Sequence, residues 1–400
     1  MANTWPKNPR IIGTSVRRID GPEKATGVAK YSFDINRPGM LFGRILRCPY
    51  GHAKVKSIDS KMAEGMPGVK AVHVIAKPGV ELFYVGDEVI ALAADTEGHA
   101  ADALRAIKIE YEILDFLVKE EDALKDDKGT VPPIRNERKN VRTGETQKEG
   151  DSAKAFAEAE VVHEGTYGAA TISHQCLESH GLVAEWGEDG KLTVWCSTQA
   201  TMYTAQGLAQ YFKIPATKVQ CITHYMGGGF GSKFGPDIQG TVAAELARKA
   251  KKPVKLLLDR AEEVQVGGMR PSAYGKVKIA GKKDGTITAY QADSYGTPGV
   301  ANSATVGPLP YIYPVPNNER RHQIIRLNTQ GLRAMRAPGH PQSCVLTDCP
   351  VEDFAAKAGL DPMQVRLKNL PPPDEAAAQK SPQSINALRH GLYTEEIKIA

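Results

Sequence analysis

Residues 226–233 read Met-Gly-Gly-Gly-Phe-Gly-Ser-Lys, four glycines in five positions, and this run restricts the fold more than any bulk property of the chain. A regular helix or strand does not run through it, because each interior glycine costs roughly 0.5–1 kcal/mol relative to alanine. Ahead of it, Val219–Ile222 has strand character. Behind it, 238–250 has a helical pattern that Lys251-Lys252-Pro253 stops. Strand, glycine loop and helix make a mixed α/β unit. Without the Cβ shield, successive N–H groups can approach an anion at the helix start, an arrangement suited to a phosphate or oxo group. The run is not a P-loop, since Lys233 follows Ser232, and its phasing misses the dinucleotide pattern GxGxxG. On glycines alone, a crowded turn accounts for the run as well as a ligand cradle does.

The flanking sequence supports an α+β (mixed α/β) chain of several units. From about residue 24 to 114, strand-like runs at 69–75 and 85–93 precede a helix that Asp95 or Thr96 can cap. Its apolar positions are Ala100, Ala103, Leu104 and Ile107. Strict alternation at Ile107, Ile109, Tyr111 and Ile113 then reads as a strand. Residues 119–150 are charged, hold Pro132-Pro133 and show neither period, so they read as a linker. Beyond them come a helical run at 152–159 and β-rich sequence to Ser197. Hairpin turns fall at 186–191 and 283–286, where Asp-Gly supplies positive φ. A helix is expected over Thr201–Phe212, and another from Asp361-Pro362 to about Leu370. Pro350 falls in a helical stretch and predicts a kink or a late start. The last residues, 393–400, read as a helix without a C-cap, as if the chain stopped in mid-element. The expected division is 1–20, 21–118, 119–150 (linker), 151–375 and a tail at 376–400.

Composition excludes several functions. Lys plus Arg number 51 against 46 acidic residues, and a net +5 over 400 residues is too dilute for nucleic-acid binding. The six cysteines show no CxxC spacing, so any iron–sulfur centre belongs to a partner chain. No stretch approaches the roughly 18 apolar residues of a membrane helix, and the first ten lack an apolar signal core, so a reducing cytoplasm is the expected compartment.

Three other segments carry candidate chemistry. Arg336 and Ala337, in Arg333-Ala-Met-Arg-Ala-Pro-Gly339, stand in a stiff loop from which a guanidinium can clamp an oxyanion, although a surface arginine is the simpler reading alone. Gln199 closes Ser197-Thr-Gln at a strand end, where an ordinary helix entry explains it equally. His174, Glu178 and His180 would share one face of a strand, but their spacing matches no zinc pattern and structural roles are favoured. Cys344 and Cys349 read as core thiols on one helix flank.

Taken in order, Ser197-Thr198-Gln199, the run 227–233 and the run 333–339 resemble the molybdenum-cofactor-binding large subunit of the xanthine dehydrogenase/aldehyde oxidase family. Residues 18–114 are similar to its hammerhead domain, so the expected architecture is a hammerhead-type α/β domain followed by the first molybdenum-cofactor-binding domain. The resemblance implies molybdopterin, in the cytosine dinucleotide form of bacterial members, and oxidation of an aldehyde or N-heteroaromatic carbon with water as oxygen source. Electrons would leave through 2Fe–2S and FAD partner chains. It implies cofactor contacts from Gln199, Gly228, Gly229, Phe230, Gly231, Arg336 and Ala337, with no side chain bound directly to the metal. Gln199 would bond an oxo or other ligand of the metal, the Phe230 and Gly231 N–H groups would face its oxygen ligands, and Arg336 would anchor cofactor or substrate.

The departures narrow the substrate. Xanthine-type members carry a glutamate where Phe234 stands and a phenylalanine where Pro338 stands, and carbon monoxide dehydrogenases carry a cysteine where Ala337 stands. The general-base glutamate of the family lies in a further C-terminal domain, expected here on a separate polypeptide. The alternative is a truncated, catalytically inert fragment or assembly scaffold.

Overall fold

The structure, a computed structural model, describes residues 10–399 except 12, 127–128, 137–138 and 381–384. Its largest sheet has seven strands in the order Val219–Ile222, Leu192–Cys196, Gly181–Trp186, Val254–Leu257, Leu41–Arg47, Glu88–Ala94, Val69–Val74. The centre of this sheet joins distant sequence, since Leu41 pairs with Val254 in parallel while Phe42 pairs with Ala94 in antiparallel register. All seven residues of Glu88–Ala94 are buried, which explains a continuous apolar run where a half-exposed strand would alternate. Helices Thr201–Phe212 and Asp237–Ala250 cover the sheet, and Leu182, Val194, Leu208, Leu246 and Leu256 fill the space between.

A three-stranded sheet of Glu81–Leu82, Ala53–Asp59 and Lys108–Ile113 shares a core with helix Glu97–Ala106, whose N-cap Thr96 accepts the His99 N–H. The second large sheet runs Val141–Thr143, Asn317–Ile325, Ile287–Gly296, Ala273–Gly281, Val161–Ala169. The long helix His340–Ala358 packs on it through Leu346, Val351 and Phe354. Among the described residues no helix is long and apolar enough to cross a membrane.

Four expectations need correction. The stretch 119–150 is not featureless: helix Glu120–Lys125 and strands Val141–Thr143 and Gln147–Glu149 lie in it, and both strands pair with Asn317–Ile325. Three-residue strands whose side chains, Val141 apart, are exposed are too short and too polar to show a period. The helix containing Pro350 does not start late, since it runs from His340 to Ala358 with the proline inside it. The Leu346 carbonyl, which residue 350 cannot bond because proline has no N–H, instead accepts the buried Tyr290 hydroxyl at 2.8 Å. Cys344 is half-buried and Cys349 exposed, so they are not core thiols. Finally, His174, Glu178 and His180 lie beyond the two-residue strand Ile172–Ser173, all buried, and share no strand face.

Candidate cofactor-binding site

The glycine run is packed from behind by three segments, which is why so little side chain is tolerated. A Cβ on Gly227 would stand 2.5 Å from Glu178 Cβ, and one on Gly229 would stand 2.6 Å from Gln199 Oε1. Gly231 has φ +111°, and a Cβ there would meet the Ala334 carbonyl oxygen at 2.5 Å. The crowded-turn reading therefore describes the back of this loop. The N–H groups of Gly228, Gly229 and Phe230 find no partner among the described residues.

Each end of the loop is tied to Glu178. The carboxylate Oε2 accepts the Gly227 N–H at 2.8 Å and the Ser197 hydroxyl at 2.9 Å, while Oε1 accepts the Ser32 N–H at 2.9 Å. At the other end Lys233, only 1% exposed, donates to the Glu178 carbonyl oxygen and to Ser197 Oγ, each at 2.6 Å. Burial pushes the Lys233 pKa down from its ordinary value, although nearby Cys176 and the carboxylates of Glu178 and Glu263 pull the other way. Beside this cluster His180 Nδ1 meets Glu263 at 2.9 Å. Burial would raise the Glu263 pKa, but the bonds and charge from His180 outweigh it and hold the carboxyl low.

Gln199 is divided between structure and presentation. Its backbone N–H donates to the Lys233 carbonyl at 2.9 Å, and its Oε1 accepts the Gly231 N–H at 2.7 Å. The Nε2 end of the exposed carboxamide has no partner among the described residues. The Gly231 N–H is thus engaged inside the loop, and the Gln199 amide stands forward instead.

The second loop is bonded to the first. The Arg336 N–H donates to the Phe230 carbonyl at 2.7 Å, and Phe230 and Ala337 both adopt positive φ, at 52° and 58°. Such left-handed conformations cost a non-glycine residue about 1 kcal/mol or more and persist only where surroundings enforce them. Arg333 Nη1 reaches the Ser232 carbonyl at 3.1 Å and Asp237 Oδ2 at 2.7 Å, tying both loops to helix Asp237–Ala250. His174 spans the Gly268 and Ala334 carbonyls at 3.0 and 2.8 Å, and burial pushes its pKa down despite these two acceptors. The Arg336 side chain is exposed and makes no ion pair among the described residues.

All seven residues expected at the site thus fall on two joined loops and one strand end. Sequence reasoning gave Glu178 only a doubtful metal role and treated Lys233 as a negative feature of a P-loop. The His174/Glu178/His180 set forms no metal site, and among the described residues no group of three His, Cys, Asp or Glu side chains is placed to hold a metal ion.

An α+β chain that offers unpartnered amides, a forward carboxamide and an unpaired guanidinium, with no carboxylate among them, defines a domain for an anionic, oxygen-rich ligand. The chain belongs to the xanthine dehydrogenase/aldehyde oxidase family of molybdenum oxidoreductases. Residues 134–370 match the molybdopterin cofactor-binding domain, and residues 26–80 match the a/b hammerhead domain of aldehyde oxidase and xanthine dehydrogenase. The nicotinate dehydrogenase large molybdopterin subunit of Eubacterium barkeri is 31% identical over 391 residues, covering 91% of this chain and 90% of that one. The aldehyde oxidoreductase molybdenum-binding subunit PaoC of Escherichia coli K12 is 30% identical over 412 residues, covering 96% of this chain but 54% of that one. The aldehyde oxidoreductase structure from Desulfovibrio gigas superimposes with a TM-score of 0.77 at 26% identity, over 89% of this chain and 43% of that one. The chain therefore spans about half the length of these last two relatives and nearly all of the first.

The site fits such a cofactor on its own evidence. Glycine lets the loop pack directly against Glu178, Gln199 and Ala334, and the Gly228, Gly229 and Phe230 N–H groups remain as unpartnered donors for an oxygen-rich anion.

Proposed function

We propose that the chain is the molybdopterin-binding part of a molybdenum hydroxylase that oxidises an aldehyde or N-heteroaromatic carbon and passes electrons to iron–sulfur and FAD partner chains. The observation that carries this reading is a pair of bonds: Gln199 Oε1 accepts the Gly231 N–H and the Phe230 carbonyl accepts the Arg336 N–H, which joins the strand end, the glycine loop and the arginine loop. When bound, the cofactor, taken here as the cytosine dinucleotide form, supplies the two-electron oxidation and delivers a water-derived oxygen to the substrate carbon. Gln199 Nε2 and the Phe230 N–H would hold that group by donating to its oxygen atoms. Gly228 and Gly229 would allow its close approach, and Arg336 and Ala337, on the loop bonded to Phe230, would hold it with a guanidinium and a backbone N–H. Fixed donors of this kind stabilise negative charge that grows on oxygen during reaction, without reorganisation.

No residue of this chain is assigned as the general base. We assign that role to a glutamate on a second cofactor-domain polypeptide, a division supported by the near-complete match to a molybdopterin subunit of comparable length. Phe234, 49% exposed, follows the loop at the position where xanthine-type members carry a glutamate, so xanthine itself is disfavoured as the substrate. We place the assembly in the cytoplasm, supported by six unpaired cysteines and the lack of a described helix able to cross a membrane. The test is to purify the chain with its genomic neighbours and supply aldehydes, nicotinate and quinoline with an artificial electron acceptor in isotopically labelled water. Label in the hydroxylated product supports the reading. An assembled, molybdenum-loaded complex that oxidises none of them favours the inert scaffold.

A further inference from the structure

Behind the Arg336–Ala337 turn lies a cation that the cofactor reading leaves without a task. Arg270 is 9% exposed and ends the short strand Met269–Arg270. Its Nη2 donates to the Arg336 carbonyl at 2.7 Å, and Nη1 to the Ala337 carbonyl at 3.4 Å and Gln342 Oε1 at 3.3 Å. Gln342 is itself buried, and its Nε2 donates to the Pro271 carbonyl at 3.0 Å. No carboxylate among the described residues pairs with Arg270. Burial alone pushes its pKa down, with no acidic neighbour opposing the shift, yet a guanidinium starts so high that it keeps its proton. A buried cation without a counter-ion is costly, and such groups call for a compensating role.

The carbonyls show the direction of that role. In a trans peptide the C=O and N–H point to opposite sides, so an Arg336 carbonyl turned toward Arg270 turns the Ala337 N–H away from it. That N–H has no partner among the described residues. Ala337 is held at φ +58°, and the next peptide runs into Pro338, which offers no N–H. The Arg336 N–H then bonds the Phe230 carbonyl, so whatever fixes this turn also fixes the glycine loop.

We propose that Arg270 is a positioning residue whose unneutralised guanidinium holds the Arg336–Ala337 turn with its carbonyls inward. The Ala337 N–H is thereby aimed at an anionic ligand on the outer side, beside the glycine loop that the Arg336 N–H ties to the same turn, with positive potential behind it. The identity of that ligand as molybdopterin rests on the function proposed above.

The test compares the assembled wild-type complex with Arg270→Met, Arg270→Lys and the double variant Arg270→Met/Ala337→Gly. Molybdenum and pterin per chain, melting temperature and hydrogen exchange over 228–231 and 334–339 are read in each. Arg270→Met is expected to lower loading about tenfold, the worth of one charge-assisted contact. Glycine takes positive φ freely, so the double variant is expected to recover loading relative to Arg270→Met. Wild-type loading in Arg270→Met, or no recovery in the double variant, overturns the proposal. Should Arg270→Met not assemble, Arg270→Lys decides: reduced loading at an unchanged melting temperature supports it, and full loading overturns it. A wild type without molybdenum defeats only the cofactor reading. Hydrogen exchange then decides, with faster exchange in either variant supporting the positioning role and unchanged exchange overturning it.

Discussion

A Cβ on Gly229 would stand 2.6 Å from Gln199 Oε1, so Gly229→Ala must displace the carboxamide that also holds Gly231. The expected cost is about 1–3 kcal/mol of stability together with loss of bound molybdenum, read by melting temperature and metal content of the same preparation. His322 offers a pH test away from the loops. It sits between Ser294 Oγ and Thr305 Oγ1, and burial lowers its pKa to about 4 from 6.5. The unfolded chain therefore binds more protons between these values. His322 contributes stability that is complete above pH 6.5 and is lost as pH falls toward 4, up to about 3 kcal/mol. Urea unfolding across this range should show that slope, and His322→Gln should flatten it. Gln199, Phe230 and Arg336 were legible because they occur in motifs. Glu178, Lys233 and Arg270 were not, because their roles lie in which carbonyl or N–H they reach from distant sequence.

The helix His340–Ala358 shows an element rescued by its neighbour. Pro350 removes one helical donor, and Tyr290 on the adjoining sheet supplies another to the Leu346 carbonyl. Tyr290→Phe leaves that carbonyl short of a partner and is expected to cost about 1–3 kcal/mol. In a Pro350→Ala background the loss should be smaller, because residue 350 regains its N–H. Equal losses in both backgrounds, read by equilibrium denaturation, would contradict this coupling. Periodicity and caps foretold helices Thr201–Phe212 and Pro362–Lys368 and strand Val219–Ile222 closely, since each carries its own signal. The helix through Pro350 had no such signal, because its compensation lies on another strand. The strands Val141–Thr143 and Gln147–Glu149 were equally hidden, as they exist only by pairing with Asn317–Ile325.

Across the molecule, the pairing of Leu41–Arg47 with both Val254–Leu257 and Glu88–Ala94 makes one sheet from segments far apart in sequence. Sequence could name an α+β class and the order of motifs, but this long-range pairing was outside the reach of local patterns. That sheet carries Gln199 just beyond the strand Leu192–Cys196 and starts the glycine loop just beyond Val219–Ile222, while the second sheet and its helix carry Arg336 and Ala337. The site therefore exists only when both layers are assembled, and we propose that their junction holds a molybdenum–pterin group. The most direct measurement is the molybdenum and pterin content of the wild-type chain purified with its partner polypeptides and cofactor-insertion proteins. The expectation is one molybdenum and one cytosine-dinucleotide pterin per chain, about one to one, both lost together on Gly229→Ala. A folded, fully assembled complex containing neither would contradict it.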